Sequence, residues 1–569
     1  MARTAPRATR TTTGTARATT TGQASVTLLP AGPDAEALAA ATVAVLGEGA
    51  QLRDDQARAL AALARTDTLL VARSGLGKTA VYDIASRLRP GLAVVVSPTL
   101  SLQRDQVASL EGTGREARLL NSTLGDAAQR RTLEEVASGE ADVLLLAPEQ
   151  LGRDAVVEAL SKADVGLVVV DEAHCVSEWG HDFRPDYLLL GAAVERLGRP
   201  RVLAMTATAS QHVREDILGR LGLDGAEVVV GDVDRPNIHL AAQDVGDARR
   251  AEEAVLAAVA ARPGATIVYA QTRAHVERLV EALRGQGEQA EGYHAGMSAR
   301  RRDQVQDDFV GGRGDVVVAT SAFGMGIDRP DVRLVVHAGP SPSLDAYYQE
   351  VGRAGRDGEP AAALLVHRAE DFALGRYLRS SGGPRPATLR SVLHALAEDG
   401  PLARRDLAGQ AGLAPRTVSA AVGALVQAGA VAEDADGRLR RVEDQRSAAQ
   451  VLDEVAAQRE RRRTTDRTRV ELVRAYADTR DCRRRVLLEL LGEEHPHPCG
   501  ACDSCDEGRS TEAGGTGFHV GQTVRHRQFG EGTVQVVEAD RITVLFGSHG
   551  FTTLALGLLE EDEELLEAA

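Results

Sequence analysis

A chain of 569 residues, 43% apolar and 26% charged, is long enough for about three to five domains and has the make-up of a globular protein in water. No run approaches the roughly 18 apolar residues that span a bilayer, and the first 22 residues set Arg3, Arg7, Arg10 and Arg17 among Thr, Ala and Gly, without the apolar centre of a secretory leader. A net charge of −16 excludes a uniformly basic coat for nucleic acid but not a basic groove, so local clusters decide that question.

Residues 1–34 are expected to be a disordered basic tail, although a transit peptide shares the same acid-free, Thr-rich composition. An Ala-rich helical segment follows to Leu46. Beyond Leu52, Arg53, Asp55, Gln56 and Leu60, a strand over 68–72 ends in ARSGLGKT, residues 72–79. A glycine-rich turn between strand and helix aims several backbone N–H groups at one point, where a triphosphate can rest on the helix N-terminus. Gly75 and Gly77 belong to that turn, Lys78 would reach the β- and γ-phosphates, and Thr79 would hold Mg2+. Ala72 stands where the strict pattern has Gly. Against that departure, only two of the 66 basic residues are lysines, Lys78 and Lys162, and one of them falls where a compact charge must meet phosphate.

Further apolar strands open into polar loops: 93–96 before Ser97, Pro98 and Thr99; 143–146 before Ala147, Pro148 and Glu149; 202–205 before Thr206, Ala207 and Thr208. Between them Val168, Val169 and Val170 run into Asp171 and Glu172, the pattern of a buried parallel strand with two carboxylates at its C-terminal edge. Asp171 is assigned to Mg2+ and Glu172 to the attacking water, in a P-loop site whose catalysis is positioning plus charge neutralisation. The loop that follows, SEWGHDFRPDY (177–187), is too polar and too broken by Gly and Pro for a core strand. It carries Trp179, the single tryptophan of a chain only 3% aromatic. A lone Trp is usually a core anchor; its place between Glu178 and Gly180 argues instead for a stacking surface beside the metal.

A second unit of the same rhythm begins near Asp234, with strands at 266–269 and 315–319, the latter ending in Thr320 and Ser321. It has no P-loop of its own. QEVGRAGRDG (349–358) offers Gln349 and, on one short helix, Arg353 and Arg356, which can both enter a tight cleft. An arginine of this half that reached the first half's γ-phosphate would be an arginine finger; a surface ion-pair network is the plain alternative.

Residues 385–445 carry a winged helix-turn-helix pattern: a helix over 402–410, a turn at Gly412 and Leu413, a second helix over 415–427 with Pro at its start, and a two-stranded wing over 431–442 around Asp436 and Gly437. DNA binding and mere packing against neighbours are both open. Residues 459–485 hold eleven Arg against five acids, which reads as a nucleic-acid surface or as a solvated helix face. Cys482, on that basic helix, and Cys499, Cys502 and Cys505 supply four thiolates for a closed tetrahedral Zn2+ site, with a redox pair or an iron–sulfur cluster as alternatives. His495 and His497 are then left exposed, and Cys175 is expected to be buried and inert. A Gly/Ser/Thr linker (509–517) releases a β module (518–558) with turns at Gly530, Glu531 and Gly532 and at Ser548, His549 and Gly550, read as a five-stranded SH3-like barrel. An acidic tail closes the chain at 559–569.

Taken together, the Gln56 segment, ARSGLGKT, SPTLSLQRDQV from Ser97, APEQL from Ala147, DEAHCVSEWGHDFRPDY from Asp171, TAT at 206–208, ATSAFGMGIDRPDVR from Ala319 and QEVGRAGRDG resemble the RecQ family of superfamily 2 helicases, over residues 51 to about 376. DEAH alone fits many RNA and DNA helicases. SEWGHDFRPDY discriminates, being similar to the aromatic-rich loop by which that family couples single-stranded DNA to ATP hydrolysis. The resemblance implies an α/β architecture of two tandem RecA-like parallel-sheet domains, 35–233 and 234–376, followed by the helix-turn-helix, a helical zinc-binding subdomain (446–508) and the small β-barrel. It implies ATP-dependent 3′–5′ unwinding of single-stranded and forked DNA in repair or recombination, in the cytoplasm at the nucleoid. Gln56 would read adenine, and Arg356 would be the finger, with Arg353 and Gln349 beside it. Ser97, Thr99, Arg184, Thr320 and Ser321 would meet the DNA strand while Trp179 and Phe183 stack on bases, a sequence-tolerant grip worth about 1–3 kcal/mol per base.

In the family's usual order the winged helix follows the zinc module, whereas here it precedes it, so the place of a strand-separating wing does not carry over. VGQTVRHRQFGEGTV, in the β module, resembles the C-terminal Tudor-like domain of UvrD and PcrA helicases and implies a protein partner, such as RNA polymerase. The other functional class these residues allow is a DNA-stimulated ATPase translocase, or a DNA-bound regulator that recruits partners with little unwinding.

Overall fold

The computed structural model describes residues 33–568 except 74, 178–183, 262–263, 325–326, 381–382, 434–437, 443–445, 494, 496, 511–516, 548 and 562–564. Nearly all of the expected tail, Trp179 and Phe183, the wing tip with Asp436 and Gly437, and most of the expected linker lie outside the described residues. Among the described residues no helix is long and apolar enough to cross a membrane.

Seven strands make the first sheet: β1 (Thr68–Val71), β2 (Leu92–Val96), β3 (Ala117–Leu120), β4 (Val143–Leu146), β5 (Val165–Val170), β6 (Arg201–Thr206) and β7 (Glu227–Val230). β1 and β4 are buried at every position, as strands covered by helices on both faces must be. The strands run parallel in the order β3-β4-β2-β5-β6-β1-β7. Because β6 alone separates β1 from β5, the loops after Val71 and Val170 leave the same carboxyl edge about 10 Å apart. A second parallel sheet holds β8 (Ile238–Asp244), β9 (Ala265–Ala270), β10 (Ala290–Tyr293), β11 (Val316–Ala319), β12 (Val332–Ala338) and β13 (Ala361–His367), in the order β10-β11-β9-β12-β13-β8.

One expectation about this second unit is corrected. The helix Leu344–Val351 stops before Gly352, so Arg353 and Arg356 lie in the loop beyond it and not on a helix. Gly355, at φ +55°, packs so closely on Asn237 that a Cβ would not fit. Arg235 pins the loop by donating to the carbonyls of Gly352 (2.9 Å), Ala354 (2.5 Å) and Gly355 (2.8 Å).

The helix-turn-helix unit packs Pro386–Glu398, Arg404–Gln410 and Pro415–Gln427 around Leu393, Val418, Val422 and Leu425. Leu402 and Ala403 pair with Leu439 and Arg438, so the first helix starts two residues later than expected and the wing sheet has three strands, not two. The helix Ala448–Asp478, about 46 Å long, leaves this core through Val451 and Val455 and enters that of the second sheet through Val470, Val473 and Tyr476. Cys482 caps the next helix, Arg483–Leu490, instead of lying on the basic helix. Arg483, Arg484 and Arg485 are buried, donating to Asp503 (2.5 Å), Asp234 (2.6 Å) and Asp481. This end of the basic run is therefore internal ion pairing and not a nucleic-acid surface.

The β module is an antiparallel five-stranded sheet of Thr523–His526, Gly530–Val537, Arg541–Phe546, Gly550–Ala555 and Leu566–Ala568 around Val524, Val534, Ile542, Val544 and Phe546. Its fifth strand comes from the segment read as an acidic tail. Nor does the module float on its linker. Val536 shares a core with Tyr476 and Leu487, Thr479 Oγ1 donates to Glu538 at 2.5 Å, and Gly550 sits so close to Thr468 that a Cβ would not fit.

Candidate active site

β1 delivers the chain into the turn of Gly75 and Gly77, at φ +82° and +83°, a left-handed backbone that glycine adopts at little cost. The helix Lys78–Arg87 starts directly after it with no side chain capping its first N–H groups, which leaves them to an anion. Gln56 is buried against this turn. Its Nε2 donates to the Leu76 carbonyl (2.8 Å) and its Oε1 accepts from the Arg53 N–H (3.0 Å). Thr79 stands one residue into the helix, and the hydroxyl of the buried Tyr82 on the next turn has no hydrogen-bond partner.

Asp171, 3% exposed at the end of β5, accepts from Gln106 Nε2 at Oδ2 (2.8 Å) and from the Glu172 N–H at Oδ1 (3.0 Å). Burial first and the charge of Glu172 second push its carboxyl above the ordinary range, with Lys78 pulling the other way. Glu172 sits at φ +49°, a strained backbone for a residue with a side chain and one that functional sites retain. Its Oε1 is 3.8 Å from Lys78 Nζ and its Oε2 3.3 Å from His174 Nδ1, which is in turn 3.0 Å from Thr206 Oγ1. Asp171 and Glu172 bring carboxylate oxygens, the hard donors that suit Mg2+, to the carboxyl end of β5 beside Lys78.

The second sheet's contribution arrives across the cleft. Arg356 Cδ lies 3.9 Å from where a Cβ on Gly75 would stand, so its stem rests on the P-loop, while Nη1 donates to Asp328 (2.6 Å). Burial, and then Arg353, lower the pKa of its guanidinium, so an anion at this point would be stabilised by both arginines. The charge of Arg353 acts on the buried Tyr269, whose hydroxyl donates to the Phe323 carbonyl (2.9 Å). Nε of Arg353, Nε of Arg356 and Nε2 of Gln349 are buried without partners. Three unsatisfied donors at one interface are costly unless a ligand completes them.

The candidate DNA residues fall on two edges. Ser97 and Thr99 follow β2 with their hydroxyls buried and without partners; Thr320 and Ser321 follow β11, half-buried and exposed. Arg184 Nη1 donates to the Pro98 carbonyl (2.5 Å) and its N–H to the Cys175 carbonyl (3.0 Å), while the Tyr187 hydroxyl donates to the Asp171 carbonyl (3.0 Å). The C-terminal base of the aromatic-rich loop is thus bolted both to the 97–99 segment and to Asp171 at the end of β5. Sequence reasoning missed Gln106 and Tyr187. Both stand inside quoted motifs, but nothing in their spacing says that they turn toward Asp171.

The sulfurs of Cys482, Cys499, Cys502 and Cys505 lie within 4.8 Å of one another. Cys499 and Cys505 are 3.9 Å apart, far beyond a disulfide bond. The N–H groups of Cys499 and Ala501 donate to the sulfurs of Cys482 and Cys499 (3.3 Å each), and the Cys482 thiol foremost holds that of Cys499 down to about 3. Four converging sulfurs, with backbone donors that favour thiolates, fit a closed tetrahedral zinc site. Of the two histidines expected to be exposed, His497 is and His495 is half-buried; Cys175 is buried, 3.7 Å from His174 Nε2.

Residues 53–217 match the DEAD/DEAH box helicase family, 250–358 the helicase conserved C-terminal domain and 438–506 the RecQ zinc-binding domain. The chain is 32% identical over 445 residues to the ATP-dependent DNA helicase RecQ of Haemophilus influenzae, covering 78% of this chain and 60% of that one. It belongs to the RecQ family. The RecQ of Pasteurella multocida is 40% identical over 313 residues, 55% of this chain and 49% of that one. A probable ATP-dependent DNA helicase RecS of Bacillus subtilis is 38% identical over 314 residues, 55% and 63% of the respective chains. The chain therefore spans between about half and just under two thirds of the length of these RecQ relatives. Residues 385–432 match a winged helix-turn-helix DNA-binding family and precede the zinc-binding match, the order noted from the sequence.

Proposed function

We propose that the protein is an ATP-dependent DNA helicase that moves 3′–5′ along single-stranded DNA and opens forked duplexes, in repair or recombination, in the cytoplasm at the nucleoid. The observation that carries this reading is Arg356 resting on Gly75: an arginine of one sheet lies against the phosphate-binding turn of the other, so nucleotide chemistry and the relative position of the two sheets are mechanically one event. The names of the matched relatives support ATP-driven action on DNA.

In this reading Lys78 and the N–H groups after Gly77 bind the phosphates and Gln56 recognises adenine. Thr79 and Asp171 would hold Mg2+, which when bound neutralises phosphate charge. Glu172, beside Lys78, orients the attacking water and accepts its proton, and Arg356 stabilises charge on the γ-phosphate with Arg353 and Gln349 completing the cleft. Ser97, Thr99, Arg184, Thr320 and Ser321 hold the strand, Trp179 and Phe183 stack on its bases, and the four cysteines hold Zn2+. A second reading, a DNA-stimulated translocase or DNA-bound regulator with little unwinding, draws on the winged-helix match and the β module, the latter a seat for a protein partner such as RNA polymerase.

The test is ATPase activity with and without single-stranded DNA, followed by unwinding of duplexes with 3′ or 5′ tails. Strand release from 3′ tails only is expected. Stimulated ATPase without strand release selects the second reading, and ATPase indifferent to DNA removes both.

A further inference from the structure

We infer that Gln106 is a positioning residue that ties strand occupancy of the 97–99 segment to the orientation of Asp171. This rests on the proposed function and assigns a role to a side chain that the proposed function leaves without one.

The helix Leu100–Gly112 begins immediately after Thr99 and carries two glutamines one turn apart, Gln103 and Gln106, both 5% exposed or less. Residues three apart share a helix face, and these two hold opposite ends of the coupling. Gln103 Nε2 donates to the Ser97 carbonyl (2.8 Å), and its Oε1 accepts from Asn121 Nδ2 (3.2 Å), so its amide is satisfied on both sides and anchors the helix to the end of β2. Gln106 Nε2 donates to Asp171 Oδ2 (2.8 Å), but its Oε1 is buried with no partner.

That asymmetry carries the inference. A buried amide oxygen without a donor is costly, and folded proteins keep few. Gln106 Oε1 stands beside the carboxylate that would hold Mg2+, where a metal-bound water is the donor it lacks; amides placed this way orient metal ligands from outside the coordination shell. At the other end of the same helix, Ser97 and Thr99 keep their hydroxyls buried and without partners, and Arg184 grips the Pro98 carbonyl between them. A strand held by Ser97 and Thr99 displaces the first turn of a rigid helix. Gln106, seven residues on from Thr99 and about 10 Å along the axis, passes that displacement to Asp171 through one hydrogen bond. Tyr187, on the Asp171 carbonyl, fixes the backbone while the side chain is adjusted.

The experiment uses the full chain with two substitutions, Gln106→Met, which keeps length and removes the amide, and Gln106→Glu, which keeps shape and replaces the donor with a carboxylate. Mn2+ affinity of the ADP complex is measured by electron paramagnetic resonance. Oligothymidylate binding is measured by anisotropy, and kcat and KM for ATP with and without oligothymidylate by steady-state assay. Gln106→Met is expected to weaken Mn2+ binding about 10- to 100-fold. Its DNA stimulation of kcat should fall by a similar factor, with KM for ATP and oligothymidylate affinity within about twofold of wild type. Gln106→Glu is expected to lose stimulation while keeping Mn2+ affinity, its added charge offsetting the lost hydrogen bond. If Gln106→Met does not fold, Gln106→Glu alone decides. Retention of the wild-type stimulation ratio by either folded variant overturns the inference, as does wild-type Mn2+ affinity in Gln106→Met. A wild-type protein without DNA stimulation would instead overturn the helicase reading on which it rests.

Discussion

Glu489 should give the docking of the β module a measurable pH dependence. Only 6% exposed on the helix Arg483–Leu490, it faces Asp481 and Glu538 and meets one cation, Arg485, which already donates to Asp481. Burial foremost raises its carboxyl from 4.5 to about 8, with Arg485 opposing. A carboxyl raised on folding favours the protonated form, so its contribution to stability is complete below about pH 4.5 and is lost as the pH climbs through about 8. At about 1.4 kcal/mol per unit, the loss amounts to about 3 kcal/mol by pH 7 and about 5 kcal/mol by pH 9. Glu489→Gln keeps the size and the polarity but cannot titrate. Between pH 6 and 9 the wild-type calorimetric transition of the zinc hairpin and β module should therefore fall by about 5 °C or more relative to the variant. Glu538, also raised by burial, is present in both proteins and cancels in the difference. Parallel profiles for the two proteins would refute the assignment of that cluster.

Three further outcomes are expected. Arg356→Ala should lower kcat by about 10³- to 10⁵-fold while ATP binding stays within a few-fold, the loss expected of an arginine finger; near-normal turnover would remove that role from Arg356. Trp179→Ala should retain nucleotide binding but lose stimulation of hydrolysis by single-stranded DNA, and full stimulation would remove its stacking role. Cys502→Ser, or a strong chelator, should release zinc and unfold residues 483–506, because binding free energy at such sites is folding free energy; unchanged helicity by circular dichroism would contradict this.

The parallel sheets were legible because a strand buried on both faces has to be written as a continuous apolar run, and such a run ends where the polar site begins. Strand 143–146 and the helix 415–427 fall where expected, and Asp171, Glu172, Lys78 and Arg356 converge because strand ends and a glycine turn can be read locally. What was missed depends on partners remote in sequence. Arg353 and Arg356 seemed spaced for a helix, but Gly352 and Gly355, with Arg235 more than a hundred residues away, hold them in a loop. Arg483, Arg484 and Arg485 read as a nucleic-acid surface or a solvated helix face, and are neither, because their three acids, one of them 250 residues distant, are not visible in a charge count. The fifth strand of the β module lay hidden in an acidic segment, since an edge strand of three residues carries too short an alternation to be read.

The zinc-bearing hairpin touches both sheets, and the two attachments differ in strength in a way that decides which one yields. Arg484 is buried, donating to Asp234 (2.6 Å) and to the Ile238 carbonyl (2.6 Å) at the start of the second unit. Breaking such a pair strands a buried guanidinium and costs about 3–5 kcal/mol. Toward the first unit, Arg214 on the helix Gln211–Leu221 reaches Glu493 (2.6 Å), a partly exposed pair of the kind worth about 1 kcal/mol or less. If the cleft between Gly75 and Arg356 opens and closes as the proposed function requires, the hairpin, and the β module keyed to it through Val536 and Glu538, should travel with the second sheet, with Arg214–Glu493 the weaker contact. Under the proposed function, the zinc hairpin and the β module would then move with the arginine-bearing lobe, and a partner held by the module would be carried with it.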